Sequence, residues 1–264
     1  MRKRCVTFLL SLAVFLPGVN LAGEEKPTAV IEDTAGQSTE VSDIGVSIDS
    51  HDFDLCGDSC LVVKTGALEI CIRLDTIVSI VQTGKLWTVK YFIAGQEITA
   101  EGELQPVGVN GKSDLGDFNI WATRIRRMDF KSPPYRDNRF VGTGSPVLAR
   151  LNLLDGSIIP VTSLRRFYRY MSRERYIGDG GPWRTQVEET IDFTRGESSS
   201  AVAMQDIAKV EFGADNTVSV TLKNGKTATG TTVFHVQFCG TFEKGCFVIE
   251  KKSINSIEFV GGAK

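Results

Sequence analysis

The sequence contains only two histidines, His51 and His235, and it carries none of the short motifs of common hydrolases and nucleotide-binding enzymes. It has no Gly-x-Ser-x-Gly elbow, no His-Glu-x-x-His pair and no glycine loop of the kind that holds phosphate. His235 alternates with Phe234 and Val236 on a predicted strand, which is typical of an outward-facing residue. These absences favour a non-catalytic protein without a cofactor. The alternative is a hydrolase of envelope polymers that uses paired carboxylates between its units, since with 32 acidic residues some carboxylates always lie close together in space.

The chain also lacks any apolar run of the ~20 residues that a membrane-spanning helix needs. The longest run, residues 6–16, is about half that length and follows the basic residues 2–4. The stretch Leu21-Ala22-Gly23 ends in small residues that suit a cleavage site, so residues 1–23 are predicted to be a secretory signal peptide. We therefore expect a secreted protein, periplasmic or extracellular, that has no transmembrane segment and is able to contact a membrane surface.

Residues 24–43 contain no aromatic side chain and no apolar periodicity. Such a segment buries too little surface to offset the entropy of ordering, so it is predicted to be a disordered acidic leader. From Ile44 onward the chain changes to short alternating apolar runs bounded by Gly, Asn and Asp, which is the pattern of β-strands.

A strand ending of the form Ile-x-x-(Ile/Met/Val) recurs four times and indicates internal repetition. The copies end at Gln82, Phe130, Phe212 and Phe259, at intervals of 48, 82 and 47 residues. We therefore predict an all-β fold of tandem small antiparallel units, either small barrels or sandwiches, with a four-bladed propeller or a trefoil-like closure as alternatives. The predicted segments are a degenerate unit at 44–82, a unit at 83–131, a linker at 132–145, a unit at 146–212 that carries an insertion at about 165–199, and a last unit at 213–264.

The last unit resembles a known class of β-repeats. The stretch from Val218 to Gly230, followed by Phe247-Val-Ile249 and Ile254-Asn-Ser-Ile257-Glu-Phe259, resembles a short β-repeat of bacterial envelope proteins. It is also similar to Sm-like and other SH3-like small barrels, which open with a strand, a turn and a second strand and close on an Ile-x-x-Ile strand. The resemblance implies a fold and no activity. The polar loop residues that contact RNA in the Sm family have no match here, so nucleic acid is not an expected partner.

The cysteines predict disulfides, because thiols outside the cytoplasm are usually oxidised. Cys239 and Cys246 flank a predicted hairpin, and we expect a cross-strand disulfide between them. Cys56 and Cys60 are predicted either to close a tight loop or to leave one of them paired with Cys71. The spacing of these cysteines is not that of a zinc site, so no metal is expected.

The predicted insertion interleaves arginines with aromatic residues, and it is the best candidate for a binding surface. Guanidinium groups bind carboxylates and phosphates through paired hydrogen bonds, while Tyr and Trp rings stack on sugars or bases. We expect it to contact an anionic envelope polymer or another envelope protein; the structural alternative is a β-excursion whose rings pack on a neighbouring unit. The candidate binding residues are Arg165, Arg166, Tyr168, Arg169, Tyr170, Arg173, Trp183 and Arg184.

Overall fold

The computed structural model describes residues 27–48, 60–105, 107–131, 148–171, 183–232 and 236–260, and for residues 48, 167–171 and 183–187 it describes the backbone only. Within these ranges the regular structure consists of 21 β-strands and a few 3-10 turns, which confirms the all-β prediction. The first ten strands are β1 (Thr28–Asp33), β2 (Ser38–Ile48), β3 (Cys60–Thr65), β4 (Leu68–Arg73), β5 (Ile77–Thr83), β6 (Leu86–Ile93), β7 (Gln96–Leu104), β8 (Val107–Ser113), β9 (Gly116–Trp121) and β10 (Ile125–Lys131). The others are β11 (Ala149–Leu153), β12 (Ile158–Met171), β13 (Trp183–Glu188), β14 (Thr190–Arg195), β15 (Ser198–Ala203), β16 (Ile207–Phe212), β17 (Thr217–Leu222), β18 (Thr227–Thr231), β19 (Gln237–Phe242), β20 (Gly245–Glu250) and β21 (Ile254–Phe259).

The first half of the chain contains one antiparallel unit inserted into another. Five strands pair in the order β10–β1–β2–β8–β9, which we name the first outer unit. The intervening strands pair in the order β5–β6–β7–β3–β4, which we name the first inner unit. The chain thus leaves the outer unit after β2, forms the inner unit, and returns to the outer unit at β8.

The second half has the same order of pairings. The second outer unit is β21–β11–β12–β19–β20. The second inner unit is β16–β17–β18–β14–β15, and it is inserted between β12 and β19. The additional strand β13 pairs with the far end of β12.

The recurrent Ile-x-x spacing has a structural cause in all four units. The strand at one end of each unit's pairing order, namely β5, β10, β16 or β21, follows a 3-10 turn and begins with an isoleucine that is at most 2% exposed. Directly after that isoleucine the pairing register shifts by one residue. A β-bulge of this kind adds one residue to a strand, so side chains three apart, rather than two, face the same core.

The four units form an open row. The first outer unit pairs with the first inner unit through β10 and β5, and the second pair of units is joined through β21 and β16. The two halves are joined by β4 and β20. No pairing between described strands returns from the second inner unit to the first outer unit, so neither a propeller nor a trefoil closure is observed among them.

The predicted disorder of residues 24–43 is wrong from Thr28 onward. Residues 28–33 form β1, which pairs with β2 and β10, and Ala29 and Ile31 are 0% and 1% exposed. Two alternating apolar residues suffice here because β1 also pairs with β10, which lies far along the chain, where a local pattern does not show it. The predicted signal peptide and linker lie outside the described residues. Among the described residues there is no helix of the length and apolarity needed to span a membrane.

Candidate functional site

Strand β12 carries the predicted binding residues away from the second outer unit. Residues 158–167 of this strand pair with β11 and β19, whereas the segment from Arg166 to Met171 pairs with β13. In the ladder between β12 and β13, Tyr170 lies opposite Arg184, and Arg169 lies opposite Thr185. The basic-aromatic sequence is therefore a two-stranded ribbon, which we name the β12–β13 hairpin.

Arg166 anchors the base of this hairpin. Its side chain is 4% exposed, and its Nη2 donates to the Oε2 of Glu188 and, at 2.6 Å, to the Oδ2 of Asp192. The Thr190 hydroxyl donates toward the same two carboxylates, at 3.2 Å from Glu188 Oε2 and 3.0 Å from Asp192 Oδ1. Hydrogen-bonded opposite charges compensate for the burial of the guanidinium. Arg166 is thus engaged within the protein, and its predicted role as a binding residue is corrected to that of an anchor.

Arg165 is also engaged within the protein. Its Nε lies 3.5 Å from Glu189 Oε1, and its side chain is 27% exposed. The remaining candidates are farther along the chain from the anchor: Tyr168, Arg169 and Tyr170 lie on β12, and Trp183 and Arg184 lie on β13. Arg173 lies outside the described residues.

Sequence reasoning missed the acidic partners of the anchor. Glu188 and Asp192 follow Arg166 by 22 and 26 residues, and only the fold brings them to it. Arg166 and Thr190 bind both carboxylates, so this pair of acids holds the hairpin base together.

A groove of about 350 Å³ lies beside this anchor, on the face of the second inner unit. Most of its lining residues are serines and threonines, and Asp192 is the carboxylate among them, so the anchor and the groove share one side chain. The groove is formed by Asp192, Phe193, Thr194, Ser199, Ser200, Ala201, Thr231 and Thr232.

The predicted disulfide between Cys239 and Cys246 is wrong. No disulfide joins any of the four described cysteines, and the register places Cys239 opposite Val248 and Cys246 opposite Thr241. The two cysteines are diagonal neighbours, whereas a cross-strand disulfide needs Cβ atoms about 3.5–4.5 Å apart. The residue opposite Cys246 on its other side is Cys71, across the β4–β20 ladder.

The remaining cysteine predictions have different outcomes. Cys60 lies opposite Arg73 and is not joined to Cys71, while Cys56 lies outside the described residues. Burial raises the pKa of the Cys239 thiol to about 12, with the nearby Arg165 lowering it and Cys71 adding to the rise. The described residues contain no group of three metal-ligating side chains.

No protein-family model, curated protein or solved structure matches this chain.

Proposed function

We propose that this protein is a non-catalytic binding or scaffold module of the cell envelope or the extracellular space. The observation that supports it most directly is the β12–β13 hairpin, which extends a 14-residue strand of the second outer unit into a separate two-stranded ladder. Residues on such a ladder are held by main-chain hydrogen bonds, so a ligand meets them in a fixed order along the strands. The predicted signal peptide favours this compartment.

The chemistry of the hairpin favours an anionic ligand. Beyond the anchored Arg165 and Arg166, residues 169–184 contain four arginines and two acids, a local charge of +2 in a chain whose net charge is −2. Its aromatic residues supply flat faces for stacking on sugar rings, and its arginines supply paired donors for carboxylates or phosphates. The ligand class is therefore an anionic envelope polymer or the acidic surface of another envelope protein.

The hairpin is stiffened where it joins the unit. Because Arg166 is buried between two carboxylates, bending at this point would expose or separate the charges of the anchor. A base that is held in place reduces the ordering cost of binding, which is the usual advantage of a preorganised contact surface.

The test is a retention assay on the full chain. Arg169→Gln, Arg173→Gln and Arg184→Gln are combined in one variant, and Arg126→Gln, Arg127→Gln and Arg150→Gln serve as the matched control at exposed positions elsewhere. The probes are purified cell-wall glycan, phosphatidylglycerol vesicles and total envelope extract, each at low and high salt. We expect the wild type and the control to be retained on one probe at low salt, and the hairpin variant to lose about tenfold in affinity, or ~1.4 kcal/mol.

Equal retention of the folded hairpin variant and the wild type would reject the hairpin as the contact surface. Retention on glycan alone, on vesicles alone, or on a protein band of the extract would identify the ligand class. Absence of retention of the wild type on all three probes would reject the binding role for these ligand classes.

A further inference from the structure

Two sheet edges, one at each end of the row of units, are paired on one side only among the described strands. β9 pairs with β8, and β15 pairs with β14. An unpaired edge exposes main-chain N–H and C=O groups that are able to pair with another strand. Both edges are largely exposed along their length.

These two edges correspond to the two strands that join the halves of the chain. β9 has the position in the first outer unit that β20 has in the second, and β15 has the position in the second inner unit that β4 has in the first. β4 and β20 form an antiparallel ladder in which Cys71 lies opposite Cys246 and Leu68 lies opposite Ile249. The halves therefore meet head to tail: an inner unit binds the outer unit that follows it. In a head-to-tail row, each contact joins two different surfaces, and one surface of each kind stays unused at the ends. Here the unused surfaces among the described strands are the edges of β9 and β15.

The β9 edge is more apolar than a strand that faces only water. Leu115, in the turn before β9, is 93% exposed, and Trp121, at its end, is 48% exposed. Phe118 and Ile120 on the same strand pack against the core only in part. Exposed apolar residues along a free edge are the features that natural sheets avoid unless the edge is covered by a partner.

The contact between the halves identifies the residue that Leu115 would meet in the second inner unit. It occupies the turn position that Lys244 occupies before β20, and the backbone oxygen of Lys244 accepts a hydrogen bond of 2.6 Å from the Tyr91 hydroxyl of the first inner unit. The residue of the second inner unit that corresponds to Tyr91 is Leu222, since Tyr91 lies opposite the isoleucine that begins β5 and Leu222 lies opposite the isoleucine that begins β16. A repeat of the contact between the halves would thus place Leu115 on Leu222, and both are apolar.

The groove of about 350 Å³ beside β15 marks the same unused surface. In the first inner unit the corresponding strands are covered: Val62 and Cys71, which lie opposite each other, are 0% and 1% exposed beside β20. In the second inner unit the corresponding pair is Asp192 and Ala201, and both line the open groove. In the first half, the strand of this pair that carries Cys71 is the one that pairs with β20, the edge of an outer unit.

We propose that the chain self-associates head to tail, with β9 of one copy pairing antiparallel with β15 of the next copy. The register of the β4–β20 ladder transfers directly and places Asp117 opposite Ala201 and Ile120 opposite Ser198. The serines of β15 and Asp117 replace apolar residues of the internal contact, so the association between copies buries less apolar surface and is reversible. This self-association does not depend on the β12–β13 hairpin.

Sedimentation of the full chain at increasing concentration tests the association. We expect the mass of the wild type to rise with concentration, and the larger species to be lost in Leu115→Lys and in Ala201→Lys, which place a charge on either edge. Leu154→Lys is the matched control, because Leu154 is a comparably exposed turn leucine, 66% exposed, on the second outer unit. Circular dichroism verifies that each variant is folded. A constant monomer mass for the wild type, or equal association of all variants, would overturn the proposal.

A cross-linking experiment tests the register. A copy with Asp117→Cys and a copy with Ala201→Cys, each with a different tag, are mixed under mild oxidation by oxidised glutathione. Two thiols are then oxidised to one disulfide while oxidised glutathione is reduced to two molecules of its thiol. We expect a covalent dimer that carries both tags, well above the level given by tagged wild-type copies. Dimers formed equally well by either variant alone, or none above the wild-type level, would contradict the proposed pairing.

Discussion

Replacing Gly240 with alanine would place a β-carbon 2.0 Å from the backbone oxygen of Ser163 on the neighbouring strand β12. The same β-carbon would lie 2.9 Å from the Ser163 carbonyl carbon and 3.2 Å from the ring of Phe247. None of these atoms is the end of a flexible side chain, so β12 and β19 must move apart. A normal contact of ~3.2 Å requires a separation of about 1.2 Å, which is enough to weaken the main-chain hydrogen bonds that cross this point.

The magnitude follows from two costs. Overpacking in a closely packed region costs ~1–3 kcal/mol, and each weakened main-chain hydrogen bond adds up to ~1 kcal/mol. We therefore expect the free energy of unfolding to fall by about 3 kcal/mol. The control is Gly108→Ala, whose β-carbon would meet chiefly the Ser47 hydroxyl at 2.6 Å, and that side chain is able to rotate away. The control is expected to lose less than ~1 kcal/mol.

Urea unfolding followed by circular dichroism measures both variants, with the free energy taken by linear extrapolation. The same close approach of two strands occurs in both inner units. A β-carbon at Gly102 would lie 2.2 Å from the Lys64 oxygen, and one at Gly230 would lie 2.3 Å from the Thr194 oxygen. Alanine at either position should therefore behave like the Gly240 variant. Unfolding midpoints for these variants that equal the Gly108→Ala midpoint would refute the close approach of the strands.

Three further perturbations have defined outcomes. Tyr91→Phe removes the hydroxyl that donates to the Lys244 oxygen at 2.6 Å, and urea unfolding should show a loss of about 1 kcal/mol; an unchanged stability would mean that this hydrogen bond does not stabilise the joint between the halves. Arg166→Met leaves its two carboxylate partners without their shared cation, so thermal unfolding should show a loss of about 2 kcal/mol, partly restored by adding Glu188→Gln; no restoration would contradict the electrostatic explanation. The pKa of Cys239 is raised from 9.0 to about 12, so the unfolded chain loses this proton first and stability should fall as pH rises from 9 toward 12. Cys239→Ala should show a smaller fall over that window in unfolding midpoints, and an identical fall would exclude this thiol as a cause.

The sequence predicts the strand class of this fold well, because side chains in strands follow short local periods. The Ile-x-x endings correspond to β5, β10, β16 and β21, and the spacing of three records a bulge that a strict two-residue period would miss. The insertion of one unit into another leaves no such local mark. The predicted boundary between residues 82 and 83 falls just before the turn that joins β5 to β6, two paired strands of the same inner unit.

The candidate site was predictable only in part, because the sequence shows local patterns and not the pairing of distant strands. The arginine and tyrosine pattern of residues 165–170 is visible in the sequence, but Glu188 reaches Arg166 by pairing across the hairpin and Asp192 reaches it from β14. The disulfide prediction failed on turn length: a loop was expected from Gly240 to Gly245, whereas β19 and β20 remain paired as far as Phe242 and Gly245. The longer ladder moves the two cysteines out of register.

The insertion of each inner unit also sets the order in which the chain is able to fold. β1 and β10 pair Thr28 with Lys131, a separation of 103 residues, so the first outer unit forms late if its closing loop is an unstructured chain. The inner unit shortens that loop, because its first and last strands, β3 and β7, pair Val63 with Leu104 and bring the two ends of the insertion together. An inner unit that folds first therefore holds β8 close to β2. Refolding of each half should then proceed in two kinetic steps, the inner unit before the outer unit.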